Sequence, residues 1–213
     1  MKKTAASFLL LFVFCAISFA QDARAILDKA SDALSRSGGV SAEFSIQNKN
    51  SRNKSANFTQ SGKAYLKGNK FKIESGQGIT WFDGKTQWTY VKQNDEVNVS
   101  NPDGEELASV SPVSILNLYK SGFSLANKGM ASERGRTVYK VEMKPQKKNS
   151  GVNRYWVNID KHTSHISSII IEAKNGGSTT ISILKYQSGI SLPDKMFVFD
   201  KKEYPHAEVV DLR

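Results

Sequence analysis

The side chains that could do chemistry in this chain are few, and their spacing keeps them apart. His162 and His165 stand at i and i+3 in a turn entering a strand, where alternation points them to opposite faces, and His206 lies far downstream. A metal centre needs three or four donors converging on one point. No His-Glu-x-x-His run and no paired ligand spacing provides them. Asp83 and Asp103 each precede a glycine in a turn, and Glu105 and Glu106 follow the second of these turns, so they read as turn formers and solvated charges, not general acids. Gly76-Gln77-Gly78 is an isolated bend without the continuation of a phosphate-binding loop, and no Gly-x-Ser-x-Gly elbow occurs. The expectation is a chain with no catalytic residues, no metal and no cofactor.

What remains is large and apolar. Phe44, Phe58, Phe71, Ile73, Trp81, Trp88 and Tyr90 all fall in segments of alternating pattern. The densest stretch is Tyr65 to Val91, three short strands joined by tight turns, with Asp83-Gly84 read as a two-residue hairpin turn. One face of this meander is expected to hold the aromatics and the other Lys, Glu, Thr and Gln. Such a face is either plain core or the lining of a cavity for an apolar ligand, and periodicity does not separate the two.

The elements around it are mostly strands. Asp22 to Ser37 has apolar residues Ile26, Ala30, Ala33 and Leu34 on one stripe and stops at Gly38-Gly39, so a helix that lies on a sheet is predicted. From Val40 to Ile46 the period becomes two, and Gly62 marks a bend or bulge in the next strand. Between Asn101 and Gly122 the pattern breaks. Ser111-Pro112 looks like a helix start, and Val113, Ile115, Leu116, Leu118 and Tyr119 then give a short helix apolar on most sides, which must bury itself against something. Strands resume over Val138–Met143, Tyr155–Ile159, Ile166–Ala173, Thr179–Tyr186 and Met196–Phe199. Ten or eleven sequential strands with two or three helices imply a mainly β, α+β fold. Its strongly curved antiparallel sheet forms an unclosed barrel with helices in its mouth.

The first twenty residues read as an export signal. Lys2 and Lys3 precede an apolar run, Phe8 to Phe19, too short to span a membrane, and Ser18-Phe19-Ala20 is a cleavage site. Residues 1–20 are therefore assigned to a signal peptide and 21–213 to one domain. A lipoprotein signal ending at Cys15 fits poorly because Phe14 precedes the cysteine. Cleavage removes the single cysteine, leaving no disulfide or thiol chemistry, and takes the formal charge from +10 to about +8 as two lysines leave. The remaining Lys and Arg are scattered without a basic run, which together with export excludes nucleic acid as a partner.

The ordered set of motifs resembles the LolA family of periplasmic carriers of outer-membrane lipoproteins. The residues that carry the resemblance are Phe71-x-Ile73, then Asp83-Gly84-Lys85-Thr86-x-Trp88-x-Tyr90, then Asn94-x-Glu96. Near the end come Phe197-Val198-Phe199-Asp200, Tyr204-Pro205 and Val209-Val210-Asp211. The resemblance implies an unclosed barrel with a helical lid over a hydrophobic cavity for lipoprotein acyl chains, here lined by Phe44, Phe58, Phe71, Ile73, Trp81, Trp88, Tyr90, Ile115, Leu116 and Leu118. It implies a monomer that takes lipoproteins from an ABC-type release complex of the inner membrane and gives them to an outer-membrane acceptor. In the family an Arg ahead of the Phe strand bonds to the lid. Lys67 stands at that place, with three donors on a point charge where Arg has a planar fork of five. The expected cycle has Val113–Tyr119 and the first helix filling the mouth until lipid displaces them. Two alternatives share the fold: a sensor or receptor domain of envelope-stress signalling, disfavoured because the chain stops at Arg213 soon after its last strand, and a general lipid shuttle.

Overall fold

The computed structural model describes residues 22–50, 54–102, 107 and 115–213. The expected leader with its cleavage point at Ala20, the helix start at Ser111-Pro112 and Val113 lie outside those residues. The chain begins with a helix, α1, over residues 22–35, released by Gly38 at φ 73° in the left-handed region. Twelve strands follow: β1 Val40–Asn50, β2 Phe58–Lys67, β3 Lys70–Ser75, β4 Gly78–Phe82, β5 Gln87–Val91, β6 Glu96–Ser100, β7 Phe123–Glu133, β8 Arg136–Pro145, β9 Val152–Asp160, β10 Ile166–Ala173, β11 Gly177–Ser188 and β12 Glu208–Asp211. Among the described residues a helical segment, α2, spans Ile115–Leu118.

All twelve strands form one sheet in the order β12-β6-β5-β4-β3-β2-β1-β11-β10-β9-β8-β7. Its two ends, β12 and β7, do not meet, so the sheet stays unclosed, as the alternating pattern implied. Pairing is antiparallel throughout except that β12 returns parallel to β6.

Local departures from the sequence reading have physical causes. Met196–Phe199, expected as a strand, is not one: Met196 and Phe197 end a 3-10 turn over Asp194–Phe197, which Pro193 enters without an N–H and which Val198 N–H closes by donating back to Lys195 O. The Asp83-Gly84 turn is longer than two residues. Asp83 Oδ1 accepts from the N–H groups of Lys85 and Thr86, and the turn closes on the pair Phe82–Gln87, with Gly84 at φ 105°. Gly62 is no bulge; it pairs regularly with Phe44 and Ser75. A Cβ there would sit 2.3 Å from Glu74 O and 2.6 Å from Phe44 Cζ, so glycine is what lets the Phe44 ring lie across the strand. The irregular register falls instead between Glu43 and Phe44, opposite β11, where Leu184 is left out of the ladder and 51% exposed.

The sheet has an inner face, laid on α1, and an outer face. From α1, Ala23, Ile26, Leu27 and Ala30 pack on Val141, Met143, Val157, Ile159 and Ile169 of β8 to β10, and Ile115, Leu116 and Tyr119 join them. Leu34 continues into a second inner cluster of Val40, Leu66, Phe71 and Phe82. Between β3 and β4 the apolar side of the sheet changes over. In β3 the apolar residues Phe71 and Ile73 point inward and Lys72 and Glu74 outward. In register with them, β4 turns Thr80 inward and Ile79 and Trp81 outward. The outward apolar patch of β4 to β6 is covered by the C-terminal segment, whose Phe199 and Tyr204 rings each lie 5.6 Å from Trp81. Phe197 in the same segment is fully buried. Truncating a fully buried Phe costs about 3–5 kcal/mol through lost transfer energy and a residual cavity. The expected outcome for Phe197→Ala is destabilisation of that size in urea or thermal unfolding, a penalty an exposed Phe would not give.

Candidate functional site

The inner face brings together only part of the residues that sequence reasoning grouped. Phe44 and Phe71 are buried there, 6% and 3% exposed, with Ile73 half-buried beside them. Phe58 shares their face by register but is 43% exposed. Ile115 and Leu116 are buried against α1 and β8 to β10. The side chain of Leu118 lies outside the described set. Phe82, which the sequence reading left out, stacks on Phe71 with ring centroids 5.1 Å apart.

Trp81, Trp88 and Tyr90 are on the opposite face, which corrects the expectation of one aromatic surface. Strand pairing sets this: Trp81 pairs with Lys72 and with Trp88, and Tyr90 pairs with Ile79, all on the outward parity. Tyr90 packs on Tyr204 at 4.8 Å and donates its hydroxyl to Asp95 Oδ1. That carboxylate, then burial, raise its pKa above the ordinary phenol value. Trp81 and Tyr90 pack against the rings of the C-terminal segment, on the side of the sheet away from Phe71.

Lys67 is also outward and holds the C-terminal segment rather than the short helix. Its Nζ donates to Leu192 O and to Asp194 Oδ1, both at 2.8 Å, while Lys70 Nζ donates to Asp194 Oδ2 at 2.9 Å. The reason is parity again: Leu66 packs inward, so its neighbour Lys67 must point out. The short helix is held by a contact the sequence did not reveal. Tyr119, 1% exposed and just past α2, donates its hydroxyl to Asp28 on α1. Burial first, and then the Asp28 hydrogen bond, push the Tyr119 hydroxyl up to about 12. The N-terminal end of α1 is tied separately, since Asn127 Nδ2 donates to Asp22 Oδ2.

On the outer face of β8 to β10 the surface is charged. Burial pushes the Glu142 carboxyl up, but Lys128, Lys144 and Arg154 outweigh it and hold it below the ordinary carboxylate value. Lys140 Nζ sits 4.2 Å over the Trp156 ring, whose Nε1 donates to Glu172. Among the described residues no cluster of His, Cys, Asp and Glu is placed to hold a metal.

The sheet is open, and among the described residues its inner apolar face is covered by α1 and by the segment Ile115–Tyr119. Residues 13–176 match the family model described as outer membrane lipoprotein carrier protein LolA, and the chain belongs to that family. The C-terminal segment over the outer face lies beyond the matched span. Of solved structures, an uncharacterised conserved protein from Thermus thermophilus superposes with a TM-score of 0.62 at 14% identity, over 89% of this chain and 99% of that one. A putative outer membrane lipoprotein-sorting protein domain from Vibrio parahaemolyticus gives 0.50 at 14% identity, over 87% and 99%. At this identity the likeness is one of fold. No curated protein matches the chain.

The Asp194 clip makes a pH prediction. Hydrogen bonds from Lys67 and Lys70, aided by their charges, hold the Asp194 carboxyl at about 2, against an ordinary 3.8. The folded state therefore binds this proton more weakly than the unfolded chain. The clip's contribution is complete above about pH 4 and is lost as pH falls through about 2. Asp194→Asn is expected to be less stable than the native chain at pH 7, with the difference disappearing towards pH 2 in urea unfolding; a difference independent of pH would contradict the ion-pair origin.

Proposed function

We propose that the protein is an exported, periplasmic carrier that binds the acyl chains of lipoproteins on its inner sheet face and moves them from the inner to the outer membrane. The observation that carries this reading is the cover itself. Ile115, Leu116 and Tyr119 are 2%, 3% and 1% exposed, as buried as any core residue, and they lie on the inner face packed against α1 and β8 to β10. Such a segment is held in place by what it packs on and can be exchanged for other apolar matter.

The magnitudes suit carriage. An acyl chain with about 14 methylenes gains roughly 11 kcal/mol on leaving water, at about 0.8 kcal/mol per methylene. Without an opposing term that would hold cargo too tightly for transfer. Displacing three buried apolar side chains costs about 1.5–3 kcal/mol each, and breaking the Tyr119–Asp28 hydrogen bond costs about 1 kcal/mol more. The net affinity then falls to a few kcal/mol of surplus, and the cover returns when cargo leaves. In this cycle the leader is cleaved near Ala20, the carrier acts as a monomer without cofactor or catalytic step, an ABC-type release complex supplies cargo, and an outer-membrane acceptor receives it.

Depletion of the protein in its native cell, followed by membrane fractionation, tests the reading. Outer-membrane lipoproteins are expected to accumulate in the inner membrane. Unchanged distribution would overturn lipoprotein carriage, and lipids other than lipoproteins retained by the purified protein would favour a lipid shuttle.

A further inference from the structure

The changeover of the apolar side between β3 and β4 leaves an unusual inner face on β4 to β6. Reading across the sheet in register, one row runs Leu66, Phe71, Phe82, Gln87, Ser100, and the next Ala64, Ile73, Thr80, Thr89, Asn98. Each row starts apolar and ends in hydroxyls and amides. The polar end is not a solvated rim, because Gln87 is only 9% exposed. Its Nε2 donates to Thr89 Oγ1 at 3.3 Å, while its Oε1 is buried and has no partner among the described residues. Rotating the amide by half a turn only changes which of its two atoms lacks one. Leu107 packs on the Val40, Leu66, Phe71 and Phe82 cluster, whose row continues into Gln87 and Ser100. A desolvated amide without a partner destabilises the covered state, and pairing with Phe82 puts Gln87 on the inner face that the proposed cargo would occupy.

Resting on the carrier reading, we propose that Gln87, with Thr80, Thr89 and Asn98, is a polar subsite for the group that follows the acyl chain in the ligand. In the orientation that bonds Nε2 to Thr89 Oγ1 the orphan is Oε1, so that group carries a hydrogen-bond donor. The acyl chain lies on the Phe44, Phe71 and Ile73 side, and the donor reaches Gln87 two strands further along. The donor can come from a glyceride hydroxyl or from an amide N–H of an acylated peptide. A site built to pair a polar group discriminates against an analogue lacking it, because the site's own buried atom is then left unpaired.

The test uses the full mature chain and displacement of a fluorescent fatty acid by three probes: monopalmitoylglycerol, an N-palmitoylated dipeptide amide, and methyl palmitate, which has no donor. The native chain is expected to bind at least one donor-bearing probe about tenfold more tightly than methyl palmitate, and which one identifies the donor's source. In Gln87→Leu that ratio falls to about one. Gln87→Met, unbranched and of similar length, must give the same collapse, which keeps the test valid if Gln87→Leu does not fold. Equal affinities for all three probes in the native chain, or a ratio that survives both substitutions, would overturn the subsite and leave carriage standing. Failure of every probe to bind, methyl palmitate included, would overturn acyl-chain binding and the subsite together.

Discussion

The register of the β3–β4 hairpin governs what each face of this molecule does. Ser75 pairs with Gly78 across a two-residue turn, so odd positions of β3 face the same way as even positions of β4. Phe71 and Ile73 are thereby committed to the inner face, and Trp81 to the outer one. A slip of one residue would exchange every side chain of β4 between faces. It would bring Trp81 to the inner face and take it out of reach of the Phe199 and Tyr204 rings. The interlocked Trp81, Phe199 and Tyr204 rings oppose such a slip.

Two cores therefore share one sheet, and they differ in how they can open. The outer one is closed by a segment tied at several points: Lys67 and Lys70 on Asp194, the ring contacts, and the parallel pairing of β12 with β6. The inner one is closed by α1 and by α2 with Tyr119, tied to α1 through a side-chain hydrogen bond to Asp28. In the proposed cycle the outer core holds the register of β3 to β6 while the inner cover exchanges.

Much of this was legible in the sequence. The alternation from Val40 onward and the turn glycines gave an open antiparallel sheet, and the stripe on residues 22–35 gave a helix lying on it. The family followed from motif order. What was not legible depends on pairing. Alternation says that Trp81 and Ile79 share a face, but only the hairpin register says which face of β3 they join. The bonds of Lys67 to Leu192 and Asp194 depend on pairing in the same way. Tyr119–Asp28 joins residues 91 positions apart and carries no local signal. The orphan amide of Gln87 could not be found from sequence, because nothing in Gln87-Trp88-Thr89 distinguishes a buried glutamine from a surface one.

The most direct measurement uses the three native tryptophans, Trp81, Trp88 and Trp156, all of which register places on the outer face. Brominated acyl chains quench tryptophan only at short range. If ligand lies on the inner face, binding leaves native fluorescence nearly unchanged, while the Ile73→Trp variant is quenched in proportion to occupancy. Strong quenching of the native tryptophans, with none added by Ile73→Trp, would put the acyl chain on the other side of the sheet and contradict the account.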